Sequence, residues 1–144
     1  MTAALAYLHL APGTALPPFP VEAPFAAAII TDVTVPETWR DAVAAKLVAD
    51  GCLWTTSWGV DSQAWEDAVD DANLVACDFD VPDGKLVLTT SHPTESLEEA
   101  LWFVQSCALH RHTTFEHILI VHVSVSEARE RLLGAAAAAS RLVD

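Results

Sequence analysis

"FAAAIITDVTVPETWRDAVAAKLVADGCLWTTSWG", residues 25–59, decides the fold. It opens on a short unbroken apolar run, 25–31, ending at Asp32. That length suits a buried strand. The period then changes. Trp39, Val43 and Leu47, with Val48, recur at helical spacing. Thr34 and Glu37 have capping-box spacing, with Pro36 inside the first turn. Gly51 is placed to stop the helix. "CLWTTSW", 52–58, reads as a second strand, which Gly59 breaks. Strand, helix, strand is the unit of a parallel sheet.

The pattern continues in both directions. Asp61 or Ser62 caps "SQAWEDAVDDANLVA", where Trp65, Ala68, Val69, Ala72 and Val75 form one face and Glu66, Asp67, Asp70 and Asp71 the other. "DFDVPDG", 78–84, is a loop with a turn at Asp83-Gly84. "KLVLTTS", 85–91, is a third strand. A helix follows it, with Ser96 and Glu99 at capping-box spacing. "EHILIVHVS", 116–124, is the fourth strand, and Ser124 and Glu127 again have the spacing of a cap. A last helix spans 126–143. Upstream, the five prolines of 11–25 make an extended lead-in, preceded by a strand-like "ALAYLHL".

These readings predict an α/β fold: a small three-layer, doubly wound, mostly parallel sheet of four to five strands. Counting strands from residue 25, the flavodoxin-like order 2-1-3-4 is favoured. Residues 1–24 are an N-terminal strand and lead-in, and 25–144 a single α/β domain.

Totals exclude several functions. Twenty acidic against seven basic residues give a formal charge of −13, which repels nucleic acid and anionic membranes. It leaves a basic protein partner or a homodimer as expected partners. The three cysteines, Cys52, Cys77 and Cys107, are odd in number, lack CxxC spacing and sit in apolar segments. They read as buried thiols. With no basic leader before the first apolar run and no apolar stretch of ~18 residues, a cytoplasmic protein is expected.

In open parallel sheets ligands bind beyond the carboxyl ends of the strands, where strand order reverses. That rule selects Asp32, then Trp58, Gly59 and Asp61, then Thr90, Ser91 and His92, then His122 and Ser124. In order 2-1-3-4, Asp32 and His92 face one mouth. A histidine can accept or donate a proton in acid–base work, and Asp32, Asp61 or Glu95 could orient His92 as an acid–base pair, with Ser91 as a nucleophile. The bland alternative makes His92 a loop residue before Pro93. "HRHTTFEH", 110–117, has metal-ligand residue types but no ligand motif, so no metal is expected. No phosphate-binding glycine loop occurs, and acidic residues at the strand-to-helix turns repel phosphate, so no nucleotide cofactor is expected. A phospho-acceptor receiver is excluded too, because the third strand ends in "TTSH" and no Lys follows Lys85. Of five tryptophans, Trp65 and Trp102 fit helix faces, whereas Trp58 beside Gly59 fits a pocket or interface.

"CLWTTSWGVDSQAWEDAVDDA" and "VLTTSHPTESLEEALWF" together resemble an uncharacterised bacterial family, a domain of unknown function. The blocks read W-G-x-D and T-T-x-H-x-x-E-x-L-E-E. The matching residues are Trp58, Gly59, Asp61, Trp65, Asp67, His92, Glu95, Glu98, Glu99 and Trp102. The resemblance covers roughly residues 25 to 124 and implies no activity. That family often carries Cys where this chain has Ser62, so a thiol mechanism does not transfer. The two readings of function are a non-enzymatic interaction or regulatory module and, as the alternative, a small hydrolase-like enzyme using His92 with Asp61 or Asp32. Catalytic candidates are His92, Asp61, Asp32 and Ser91. Binding candidates are Trp58, Gly59, Glu95, Glu98 and Trp102.

Overall fold

A computed structural model describes residues 3–141. Its elements are β1 (Ala4–Leu10), β2 (Phe25–Thr31), α1 (Glu37–Ala49), β3 (Cys52–Gly59), α2 (Ser62–Ala76), β4 (Leu88–His92), α3 (Leu97–Ser106), β5 (His117–Val123) and α4 (Arg129–Ala139). A single turn of 3-10 helix, Asp83–Lys85, lies between α2 and β4. The expected tail of the last helix at 142–143 lies outside the described residues.

The five strands form one all-parallel sheet in the order β1-β5-β2-β3-β4. The α/β class is the one expected. The favoured order 2-1-3-4 is not adopted. Counted from residue 25, the order is 4-1-2-3, with the N-terminal strand at the edge beside the fourth. Hydrophobicity explains the arrangement. Every residue of β2 is buried, and in β5 all but His117 are buried, so these strands take the centre, covered on both faces. β4, half-buried apart from His92, takes an edge.

One face of the sheet carries α1, α2 and the proline-rich lead-in. Phe19 is buried there with Phe25, Ile29, Leu47, Trp65 and Val121. The other face carries α3 and α4, packed over Ile30, Trp54 and Ile120 through Leu101 and Leu132. Alanines 26, 27 and 28 in β2 have no exposed surface, so small side chains let the layers close on both sides. Burying a leucine or isoleucine in these layers contributes about 1.5–3 kcal/mol.

Local details differ from expectation for identifiable reasons. β4 begins at Leu88 rather than Lys85, because the Asn73 side chain captures this backbone. Its Nδ2 donates to the Lys85 carbonyl at 3.0 Å and its Oδ1 accepts from Val87 N–H at 2.9 Å. Thr34 and Glu37 form no capping box; Pro36 holds the N-cap without a side-chain bond. Ser124 caps nothing, since its hydroxyl donates to the Ser126 carbonyl at 2.6 Å and α4 starts at Arg129. Ser96 and Glu99 do form the expected box. Gly51 follows α1 with φ 100°, as a left-handed helix stop requires.

Candidate functional site

The chain steps outward from β2 through β3 to β4, then returns under α3 to place β5 on the other side of β2. The order therefore reverses between β2 and β5. Such a reversal is where a crevice is expected at the carboxyl end of a parallel sheet. Asp32, one residue past β2, meets His122 of β5 there. His122 Nε2 lies 2.8 Å from Asp32 Oδ2. His92 stands two strands from Asp32, about 10 Å by strand spacing. Of the three carboxylates that could orient His92, Asp32 instead pairs with His122, a direct result of the strand order.

His122 has no solvent exposure. Its Nδ1 lies 2.7 Å from the Tyr7 hydroxyl, and that hydroxyl accepts from Ala128 N–H at 2.9 Å. One arrangement satisfies all three contacts: Tyr7 accepts from Ala128 N–H and donates to Nδ1, while Nε2–H donates to Asp32. Burial is the largest influence on the Tyr7 phenol and pushes it up, against the Ala128 hydrogen bond. The chain Ala128–Tyr7–His122–Asp32 crosses from α4 through β1 and β5 to the crevice. Ser124 Oγ is 3.5 Å from Nδ1, too far to compete with Tyr7. His9 of β1 donates from Nε2 to the Ser124 carbonyl at 2.8 Å, and its ring lies 6.1 Å from that of His122.

A shallow crevice of about 450 Å³ lies beside Asp32, lined by Thr31, Trp58, Gly59, Val60, Pro93 and Glu95. Trp58 Nε1 donates to the Glu95 carbonyl at 2.7 Å, tying β3 to the start of the α3 segment. Gly59 is required: its φ is 102°, and a Cβ there would run into the Thr31 carbonyl. Thr31 Oγ1 in turn donates to the Val60 carbonyl at 2.5 Å. Asp32 and Glu95 have equal side-chain exposure, 39%.

Register places His9, His122, Ile30, Trp58 and His92 in one row across all five strands. Same-row residues of a parallel sheet share a face, so all five point toward α3 and α4. His92 is buried with its ring 4.6 Å from that of Phe103. Its Nε2 lies 3.1 Å from Thr90 Oγ1 and its Nδ1 3.6 Å from Glu95 Oε1. The crevice thus holds two carboxylates, each with a buried histidine behind it.

The remaining candidates disperse. Ser91 alternates to the opposite face and donates to Gln63 Oε1 of α2 at 3.1 Å, away from His92. Asp61 is exposed at the N-cap of α2, with φ 58° and no cap bond from its side chain. Glu98 points to solvent on α3. Trp102 packs against the α3–α4 layer. His110 uses both ring nitrogens on backbone, at Leu86 O and His112 N. Tyr7 was absent from the sequence candidates. Its signal was a lone tyrosine in a strand of otherwise apolar and histidine residues, readable only once β1 is known to pair with β5.

Among the described residues no helix is long and apolar enough to cross a membrane. No curated protein matches the chain. No solved structure matches it either. Residues 5–139 match the model of a domain of unknown function, DUF7684, and the chain belongs to that family.

Proposed function

We propose that the protein is a non-enzymatic regulatory module whose crevice binds a small organic cation. One observation carries this reading. The crevice presents the carboxylates of Asp32 and Glu95 and the indole of Trp58, while both imidazoles are buried behind them. Ionised carboxylates only accept hydrogen bonds. Their complement is an ammonium or guanidinium group, and an indole face adds attraction for the same charge. No basic residue lines the crevice to compete. His122 holds Asp32 at 2.8 Å, so the carboxylate is positioned before any ligand arrives.

The hydrolase-like alternative gains less support. His92 lies under Phe103, Ser91 is on the other face, and Asp61 is off the crevice. The hydrogen-bonded chain behind Asp32 favours only a narrower version, with Asp32 as the base. The test is a tryptophan-fluorescence titration with benzylamine, choline and spermidine, with phenylacetate as the anionic control. At least one cation is expected to saturate, phenylacetate to have no effect, and Asp32→Asn to weaken binding about tenfold, or about 1.4 kcal/mol. No response to any cation, or equal binding of phenylacetate, sinks the reading.

A further inference from the structure

A second surface lies on the helix layer formed by α1 and α2. α1 and α2 pack side by side, and a groove of about 260 Å³ runs between them, lined by Asp41, Ala45, Ala68, Asp71, Ala72 and Val75. Past the end of α2 stands Phe79. Val75 is 63% exposed and Phe79 73% exposed.

Single exposed apolar residues are ordinary on a protein surface. Here the backbone is unusual as well. α2 ends in a Schellman closure: Asp78 N–H donates to the Val75 carbonyl at 3.3 Å, and Phe79 N–H to the Leu74 carbonyl at 2.7 Å. Such a closure takes glycine in the left-handed position. This chain has Asp78 at φ 52° and then Phe79 at φ 65°. Two successive non-glycine residues in that region are costly, more so for a bulky ring. The fold gains little burial from the ring that this strained turn displays.

Charge identifies the partner. α2 carries Glu66, Asp67, Asp70 and Asp71 and no basic residue, and Asp78, Asp80 and Asp83 follow it. Of the cations on α1, Lys46 is held by Asp50 at 3.1 Å and lies over the Phe19 ring. Asp70 is taken up by the Thr89 hydroxyl of β4 at 2.7 Å, whereas Asp41 and Asp71 line the groove itself. The groove therefore sets the carboxylates of Asp41 and Asp71 beside an apolar floor of Ala45, Ala68, Ala72 and Val75, and no basic residue lines it. We propose that this α1–α2 groove, with Val75 and Phe79 at its end, docks a basic amphipathic helix of another protein. Apolar side chains of that helix would lie over Ala45, Ala72 and Val75, with its lysines or arginines against Asp41, Asp71 and Asp78. A second copy of this chain fits poorly, because it would set these carboxylates against their own images in a chain of charge −13.

The probe is a synthetic amphipathic helix of lysine and leucine. Its scrambled sequence and its glutamate counterpart are the controls. Amide shifts are followed by NMR and affinity by fluorescence anisotropy. Saturable binding is expected, with shifts confined to the outer faces of α1 and α2 and to residues 74–80. Phe79→Ala and Val75→Ser remove exposed atoms, so both keep the fold, and each should weaken binding by about tenfold, as interface anchors do. Three results overturn the proposal. The first is equal affinity for the scrambled peptide, which would mean charge alone. The second is shifts centred on the Trp58 crevice. The third is sedimentation showing a dimer of the free protein that Phe79→Ala dissociates.

Discussion

His122 shows how one side chain can join distant parts of a chain. It lies in β5, receives the Tyr7 hydroxyl from β1 and gives its other nitrogen to Asp32 after β2. Removing one partner from such a buried chain strands the rest. Tyr7→Phe leaves both His122 Nδ1 and Ala128 N–H without a bond. We expect a loss of about 1–3 kcal/mol in urea unfolding, as for buried polar groups left unsatisfied. An unchanged midpoint would mean that water satisfies both groups. The residues of this site were visible in the sequence one at a time. Asp32 and His122 both stood at strand ends. Their pairing was not visible, because it depends on which strand lies beside β2, and apolar runs of similar length do not state their neighbours. Ser91 and His92 show the converse. Adjacent in sequence, they face opposite layers because strand side chains alternate.

At the scale of elements, capping spacings proved unequal guides. Three Ser/Thr-x-x-Glu spacings stand before helices, and only Ser96–Glu99 forms a box. Pro36 takes the cap position in one of the others, and Ser124 is drawn to the Ser126 carbonyl in the remaining one. In the box that forms, Ser96 N–H donates to Glu99 Oε1 at 3.0 Å and Glu99 N–H to Ser96 Oγ at 3.1 Å. The backbone bond from Ser96 is the largest influence holding the Glu99 carboxyl below its ordinary range, followed by the Ser96 side chain. A depressed carboxyl stabilises the fold above its unfolded pKa, and that contribution is lost as pH falls through the folded value. Ser96→Ala should cost about 1 kcal/mol at neutral pH. The cost should shrink as pH falls through the folded value, below which the carboxylate is protonated in both states. An NMR titration should find Glu99 moved back toward its ordinary range in the variant. A Glu99 titration unaltered by Ser96→Ala would exclude this coupling. Strand and helix positions were legible because their hydrophobic periods differ. Boundaries moved where a side chain such as Asn73 intercepted the backbone.

The whole molecule carries its charge unevenly. Its α/β class followed from alternation of elements, and its strand order did not, since 2-1-3-4 and 4-1-2-3 use the same pieces with short connections. Charge is a property the sequence does state outright. At −13, with every charged residue of α2 acidic, self-repulsion opposes the folded state. Raising NaCl from about 0.02 M to about 0.5 M shortens the screening length from roughly 20 Å to roughly 4 Å. The urea midpoint should therefore rise with salt. A fall would mean that attractive ion pairs, such as Lys46–Asp50, outweigh the repulsion.

The pairing of β1 with β5 also bears on how the protein is made. Ala4 lies beside His117 and Leu10 beside Val123 in the finished sheet. On the ribosome, β1 emerges before the other four strands of this sheet, and β5 after them. Until then an apolar segment waits with both edges open, a target for chaperones. β2, β3 and β4 can meet sooner, each separated from the next by one helix. The Tyr7–His122–Asp32 chain, which joins the first strand of the sheet to the last, is assembled only once β5 has emerged.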